Sequence, residues 1–276
     1  MEKNKTATPD NESIEIIHYQ ASQGHALKNM TFLRPVFCHV LRGTKIMQLT
    51  HNKCVSGAGN LIFVAPHESI LMQHITEDGG FASEIVAFPA HLLREFNSRY
   101  ADMLKTAQDI TTTTQLPAGL DLHEAWQKTV RALTKREHPQ MIKHHFEGFL
   151  LRLSIAGYRI TVCQNEKTFS QRVIDRISRS PETEPMLADI AKALFVSEST
   201  LLRRLKSEGT HFRQLKDDVY LSLAMEHVQG NQMPIKQIAC LAGYSSTSRF
   251  IARFKERFGL TPGALRKVML PDNASE

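Results

Sequence analysis

The stretch Ile235-Lys236-Gln237-Ile238-Ala239-Cys240-Leu241-Ala242-Gly243-Tyr244-Ser245-Ser246-Thr247-Ser248-Arg249-Phe250-Ile251-Ala252-Arg253-Phe254-Lys255 decides how the second half of the chain is read. Ile235, Ile238, Ala239 and Ala242 recur at i, i+3, i+4 and i+7, one face of a short helix, and Gly243 ends it. Ser245 or Ser246 can cap a following helix, which buries Phe250 and Phe254 and leaves Thr247, Ser248, Arg249, Arg253 and Lys255 at the surface. A short support helix, a tight turn and a helix with one apolar seam and a basic outer face make a helix-turn-helix suited to the major groove of DNA.

The design occurs twice. Ile190-Ala191-Lys192-Ala193-Leu194-Phe195-Val196-Ser197, followed by Leu201, Leu205 and Lys206, parallels Ile238 to Ser245 followed by Phe250, Phe254 and Lys255. The offset is 48 before the turn and 49 after it, so the second turn is one residue longer. In the first unit Leu187, Ile190, Ala191 and Leu194 form the support stripe, the small Ala191 allowing close helix crossing. Ser197 caps, and Arg203, Arg204 and Lys206 project outward. Between the units, Phe212 to Gln229 supplies a rigid helix of about 27 Å at ~1.5 Å per residue. Two recognition helices on such a spacer can enter successive major grooves, ~34 Å apart, on one face of a duplex.

Charge follows the same division. Residues 1–166 hold 17 basic and 16 acidic side chains and residues 167–276 hold 17 and 12, so +5 of the net +6 lies in the last 110 residues. A near-neutral part joined to a basic part fits one polyanion-binding domain beside a second with another task. With 276 residues, 42% hydrophobic and 22% charged, the chain has the length of two domains and the composition of a globular protein. Cys38, Cys54, Cys163 and Cys240 show no C-x-x-C spacing, which argues against zinc ribbons and fits a reducing compartment. The polar N-terminus is not a signal peptide, and no segment reaches the ~18 apolar residues of a membrane span. The expected location is cytoplasmic, away from membranes.

Between about residues 13 and 90 the apolar runs are short and separated by turn signals: Ile14 to Tyr19, Phe32 to Leu41, Lys45 to Leu49, Asn60 to Ala65, Ile70 to Ile75 and Glu84 to Phe88. They predict a small β-barrel or sandwich. From about 91 to 160 the period becomes helical, with Leu92, Leu93 and Phe96, then Leu122, Ala125, Trp126, Val130 and Leu133, then a helix over 139–158 with Met141, His145, Phe149 and Ile155 facing inward. Thr111 to Gln115 reads as a polar connection. These helices either cover the barrel or form a dimer contact. The fold class expected is α+β: a cupin-like barrel or sandwich with helices over residues 1–165, and an all-α domain with two helix-turn-helix units over 168–268.

The ordered run from Ile235-Lys236-Gln237-Ile238-Ala239 through Phe250 and Phe254-Lys255 to Arg257-Phe258-Gly259-Leu260-Thr261-Pro262 resembles the AraC/XylS family of bacterial transcription regulators, the similarity covering about residues 168–268. The resemblance implies a double helix-turn-helix module attached to a variable domain for effector binding or dimerisation. Its first recognition helix reads bases from positions that here are Ser199, Leu202 and Arg203, and its second from Thr247, Ser248 and Ala252, with Arg249 adjacent. Leu202 and Ala252 donate no hydrogen bond, which limits them to apolar contact such as a thymine methyl. Arg203 and Arg249 are the expected base readers, while Arg204, Arg253 and Lys255 suit phosphates and Lys206 is a further DNA-binding residue.

In the first half, Val40-Leu41-Arg42-Gly43 and Gly59 to His67, ending Pro66-His67, resemble the family's cupin-like domains. The His-x-His of catalytic cupins is missing, and His39, His67 and His74 read better as structural or surface residues. Phe212-Arg213-Gln214-Leu215 resembles virulence-type members, some of which bind fatty acids through basic residues between their domains; Arg34, Arg42 and Lys45 are the nearest substitutes here. The expected function is therefore a sequence-specific, non-enzymatic regulator, foremost an activator. Its partners are double-stranded DNA, RNA polymerase and a second copy of the chain, with no cofactor beyond a small-molecule or fatty-acid effector. The rivals are an anti-activator or repressor working through protein contact, and a cupin-type enzyme fused to a DNA tether. No nucleophile with a partnered base, phosphate loop or metal spacing supports the enzyme.

Overall fold

In Val36-Phe37-Cys38-His39-Val40 the side chains alternate between two apolar environments, and this organises the first half of the chain. The computed structural model describes residues 13–117, 121–162, 168–179, 185–230 and 233–269. Cys163, the polar N-terminal tail and the expected boundary near residue 165 lie outside them. Strands β1 (Glu15–Ala21), β2 (His25–Met30), β3 (Val36–Arg42), β4 (Thr44–Gln48), β5 (Lys53–Ser56), β6 (Leu61–Val64), β7 (Ile70–Ile75), β8 (Phe81–Ala87) and β10 (Thr114–Gln115) make two antiparallel sheets. One has the order β1-β8-β3-β6-β10 and the other β2-β7-β4-β5. Val36, Cys38 and Val40 face the second sheet, where Leu27, Met47, Ile70 and Met72 meet them. Phe37 faces outward with Phe63, Val86 and Phe88. Gly43 turns β3 into β4 with φ +77°, and a Cβ there would stand 2.5 Å from the Ile75 carbonyl oxygen, so only glycine fits.

The outward aromatic face is covered by helices α1 (Ala90–Arg99), α2 (His123–Thr134) and α3 (Pro139–Ile155). Phe37 packs edge-on to Phe149 at 4.9 Å, and Phe88 lies 4.7 Å from Phe146. Trp126 of α2 donates its indole hydrogen to Glu84 Oε2 at 2.8 Å, satisfying a buried carboxylate on the sheet. Burial pushes the Glu84 carboxyl up, but the nearby His39 imidazole and the Trp126 hydrogen bond outweigh it and hold the group below its usual range. The short β9 (Gln108–Ile110) and β11 (Tyr158–Ile160) pair in parallel beside these helices.

The α+β expectation holds, with four corrections. Met141 and Ile155 do not face inward: Ile155 is 74% exposed, because the buried stripe of α3 runs through Phe146, Phe149, Leu150 and Leu153 and leaves both off it. The strand expected from Phe32 begins only at Val36, after Pro35. Thr114–Gln115 is not a connection but an edge strand on β6. β2 and β5 went unpredicted, since His25–Met30 and Lys53–Ser56 carry too few apolar residues to form a run.

The second half is helical: α4 (Phe169–Ser178), α5 (Leu187–Ala193), α6 (Glu198–Ser207), α7 (Phe212–Gln229), α8 (Ile235–Leu241), α9 (Thr247–Phe258) and α10 (Pro262–Val268). α7 has the bounds expected of the spacer and buries Leu215, Val219, Leu221, Ala224, Met225 and Val228 between the two units. The halves meet along one seam. The β2 edge packs on the C-terminal part of α9, with Asn29 donating to the Arg257 carbonyl at 3.2 Å, and Ser22 N–H bonds to the Val268 carbonyl at 2.8 Å. His67 Nε2 lies 2.9 Å from Asp175 Oδ1 of α4.

Candidate nucleic-acid interface

The two helix-turn-helix units share their turn bond for bond. In the first, Phe195 N–H donates to Lys192 O at 3.1 Å and Val196 N–H to Ala191 O at 3.0 Å; in the second, Gly243 N–H donates to Cys240 O and Tyr244 N–H to Ala239 O, both at 2.9 Å. The residue at the turn is left-handed in both, with φ +56° at Phe195 and +75° at Gly243. Beyond it the units part by one residue. Ser197 Oγ accepts from Thr200 N–H at 3.2 Å to cap α6, while Ser246 Oγ accepts from Arg249 N–H at 3.4 Å to cap α9. The support helices press Ile190 and Ala191, and Ile238 and Ala239, onto the seams formed by Leu201 and Leu205 and by Phe250 and Phe254.

Every other side of α6 faces solvent. Ser199, Leu202, Arg203, Arg204 and Lys206 are exposed, and Leu202 at 46% is one of the few large apolar side chains at the surface. On α9, Ser248, Arg249, Ala252, Arg253 and Lys255 are exposed and Thr247 is half-buried. The outer faces thus combine hydroxyls, guanidiniums and ammoniums with two apolar spots, a mixture that can donate to base edges, neutralise phosphates and touch a methyl group.

The basic residues differ in what already holds them. Arg203, Lys206 and Lys255 make no side-chain hydrogen bond or ion pair among the described residues. The Arg204 guanidinium stacks 5.1 Å from the Phe169 ring centroid. Arg253 is engaged on both sides, by Asp217 Oδ2 at 3.2 Å and Glu256 Oε2 at 2.6 Å. Arg257, not singled out from the sequence, is half-buried and ties three elements together, donating to Asp218 and Ser222 of α7 and to Thr31 before β3. Glu208 was missed too: its carboxylate accepts from Phe169 N–H at 2.7 Å and Ser170 N–H at 2.8 Å, capping α4 from the end of α6. Neither leaves a local signal, since both act on partners more than 30 residues away.

Arg34, Arg42 and Lys45 are not brought into one site. Arg34 is buried at the seam and donates to Glu15 Oε2 at 2.7 Å, lining a small cavity of about 30 Å³ with Met30, Phe32, Met225, Glu226 and Phe258. Lys45 lies inside the sandwich, and the Arg42 guanidinium passes beside Gly79. His39, His67 and His74 do not meet either: His39 faces Glu84, His67 faces Asp175 and His74 stacks on Tyr19 in the sandwich core.

A β-sandwich joined to two turn-matched helix-turn-helix units on one spacer helix defines the class as a two-domain protein with a double helix-turn-helix module. Residues 190–268 match the family model described as "Helix-turn-helix domain". Over 97 residues the chain is 35% identical to the urease operon transcriptional activator of Escherichia coli, spanning 35% of this chain and 33% of that protein. It is 30% identical over 103 residues to the transcriptional activator PerA of Escherichia coli, 37% of this chain and 38% of that one. The chain thus spans little more than a third of these curated relatives. The fold is similar across nearly its whole length to ToxT of Vibrio cholerae solved with unsaturated fatty acid bound, with TM-score 0.68, 14% identity and coverage of 99% and 100%. Residues 190–268 are thus a helix-turn-helix domain similar to those of named transcriptional activators, and the whole chain shares the fold of ToxT.

Proposed function

We propose that this chain is a sequence-specific DNA-binding regulator that activates bacterial promoters, with α6 and α9 placed in successive major grooves of one duplex face. The observation that carries the reading is the duplicated turn, with its shared hydrogen bonds and left-handed residue, each copy presenting a helix whose outer face is polar and basic. The urease and PerA relatives are named activators, which favours activation over repression. On this reading residues 168–268 bind DNA and residues 1–165 serve regulation and pairing with a second copy, RNA polymerase is the contact through which activation works, and the protein acts in the cytoplasm. No helix among the described residues is long and apolar enough to cross a membrane.

Genome-wide occupancy mapping followed by footprinting on a recovered site tests it. Protection of two half-turn windows about one helical repeat apart is expected. A chain that reaches promoters only with another DNA-bound protein, and leaves no footprint alone, would instead be acting by protein contact.

The seam cavity bears on the effector. A fatty-acid carboxylate placed there would meet a guanidinium already engaged by Glu15 and, beside it, the half-buried Glu226 carboxyl. With about 30 Å³ of free space as well, this lining favours a seam closed by the chain's own carboxylates over one holding an acidic lipid. Thermal-shift screening with medium and long fatty acids is expected to show no stabilisation, and a saturable rise in melting temperature would restore the lipid reading.

A further inference from the structure

Inside the sandwich, an amine is sealed against a thiol. Lys45 of β4 is 1% exposed, and its Nζ lies 3.2 Å from Sγ of Cys38 on β3, itself 1% exposed and not in a disulfide. Among the described residues Lys45 has no carboxylate partner; it also faces the ring of Phe81, whose centroid is 5.6 Å from Nζ. Taking a lysine out of water without an ion-pair partner costs several kcal/mol on general grounds. An apolar residue such as the neighbouring inward-facing Met47 would serve packing better. The strand pattern gives Lys45 no choice of face: it pairs with His74 on β7 and Ser56 on β5, both buried, and shares its face with Met47 two residues on. Its surroundings are chemically unusual for a core. His74 Nε2 is buried with no hydrogen-bond partner, while its Nδ1 lies 3.1 Å from His25 Nε2, which lies 2.5 Å from the Tyr19 hydroxyl.

We propose that Cys38 and Lys45 are an oxidant-driven cross-linking pair that forms a covalent Sγ–O–Nζ bridge between the two sheets of the sandwich. With the lysine as free amine and one dioxygen as oxidant, the S–H bond and one N–H bond break. One oxygen atom is inserted between sulfur and nitrogen, and the other leaves as water with the two hydrogens. Sulfur and nitrogen each give up two electrons, the four that reduce dioxygen. A 3.2 Å gap suits a single bridging atom better than a direct S–N bond, which would require the strands to close much further. Cys54 is the alternative partner for Cys38. Its Sγ faces Ser56 Oγ at 3.7 Å, and burial pushes its thiol up, away from the reactive thiolate. The bridge would make the effector-side domain a redox reporter, a role independent of how the helix-turn-helix units read DNA.

The experiment uses the full chain carrying Cys163→Ser and Cys240→Ser, purified anaerobically under reductant and then exposed to air. Expected are a mass gain of one oxygen less two hydrogens, a protease-resistant link between the Cys38 and Lys45 peptides, reversal by dithiothreitol, and a higher melting temperature when bridged. Cys54→Ser should leave all of this in place. Cys38→Ser and Lys45→Met, each checked for folding by circular dichroism, should abolish it, and Lys45→Arg is the second variant if Lys45→Met does not fold. A gain of whole oxygen atoms without hydrogen loss, a loss of two hydrogens that survives Lys45→Met but not Cys54→Ser, or an unchanged mass after prolonged exposure would each overturn the proposal.

Discussion

Phe195 and Gly243 hold the same place in their two helix-turn-helix units, 48 residues apart, and both are left-handed, with φ +56° and +75°. Glycine occupies that region freely, whereas a residue with a Cβ pays about 1 to 2 kcal/mol for it. Phe195 gains nothing from burial in return, since it is 95% exposed. Phe195→Gly should therefore stabilise the chain by about 1 kcal/mol and Gly243→Phe should destabilise it by at least as much, both read from urea unfolding. If Phe195→Gly is instead neutral or destabilising, the exposed ring has a partner in the folded chain.

Arg203 and Arg253 separate base reading from charge. Arg203 has no intramolecular partner among the described residues, so the whole guanidinium is available to a base, and Arg203→Ala should cost ~1 to 3 kcal/mol on the cognate site with little change on random DNA. Arg253 is held by Asp217 and Glu256. Releasing it to a phosphate means breaking those bonds, so Arg253→Ala should weaken cognate and random DNA alike, by less than Arg203→Ala does. Titrations of both variants on both DNAs, at two salt concentrations, decide it.

Much of this interface was legible because its cause is local. The i, i+3, i+4, i+7 stripes, the serine caps and the one-residue difference between turns are all properties of neighbouring residues, and α7 kept its expected bounds from Phe212 to Gln229. Ile70 to Ile75 was likewise readable, its strict alternation matching β7. Where the cause is distant the sequence is silent. His25–Met30 is held as a strand by pairing with β7 and by α9 behind it, although Lys28 and Asn29 are exposed. Arg257, Glu208 and Glu226 act across the seam or between helices, where no periodicity announces them. Arg34, Arg42 and Lys45 were alike as cations in sequence and ended in three unrelated environments, because burial and partner are decided by topology.

Glu208 should make the helical half acid-sensitive. Burial pushes its carboxyl up, but the hydroxyl and two backbone N–H groups at the start of α4 outweigh this and hold it below the usual range. A group lowered on folding contributes stability that is complete above the unfolded carboxylate range and is lost as pH falls through the folded value. Glu208→Ala removes the bonds to Phe169 and Ser170, leaves the Thr168 cap in place, and should cost ~1 kcal/mol near neutral pH, with the difference from the parent vanishing in acid. A penalty that persisted unchanged in acid would assign the effect to packing.

Glu226 should act with the opposite sign. It sits on α7 at the seam, and burial pushes its carboxyl up to about 7, with Arg34 drawing it down and Glu15 opposing that. In the unfolded chain it titrates near ~4.3. Between those values the folded chain keeps a proton that the unfolded chain has released, so stability falls as pH rises through the window and levels off above it. The full swing is about 4 kcal/mol, an upper figure for one such group. Glu226→Gln has the shape of the protonated acid and no proton to lose. It should match the parent below about pH 4, exceed it in urea stability at about pH 8, and flatten the slope between. Equal slopes in parent and variant would mean that Glu226 is not the group that titrates.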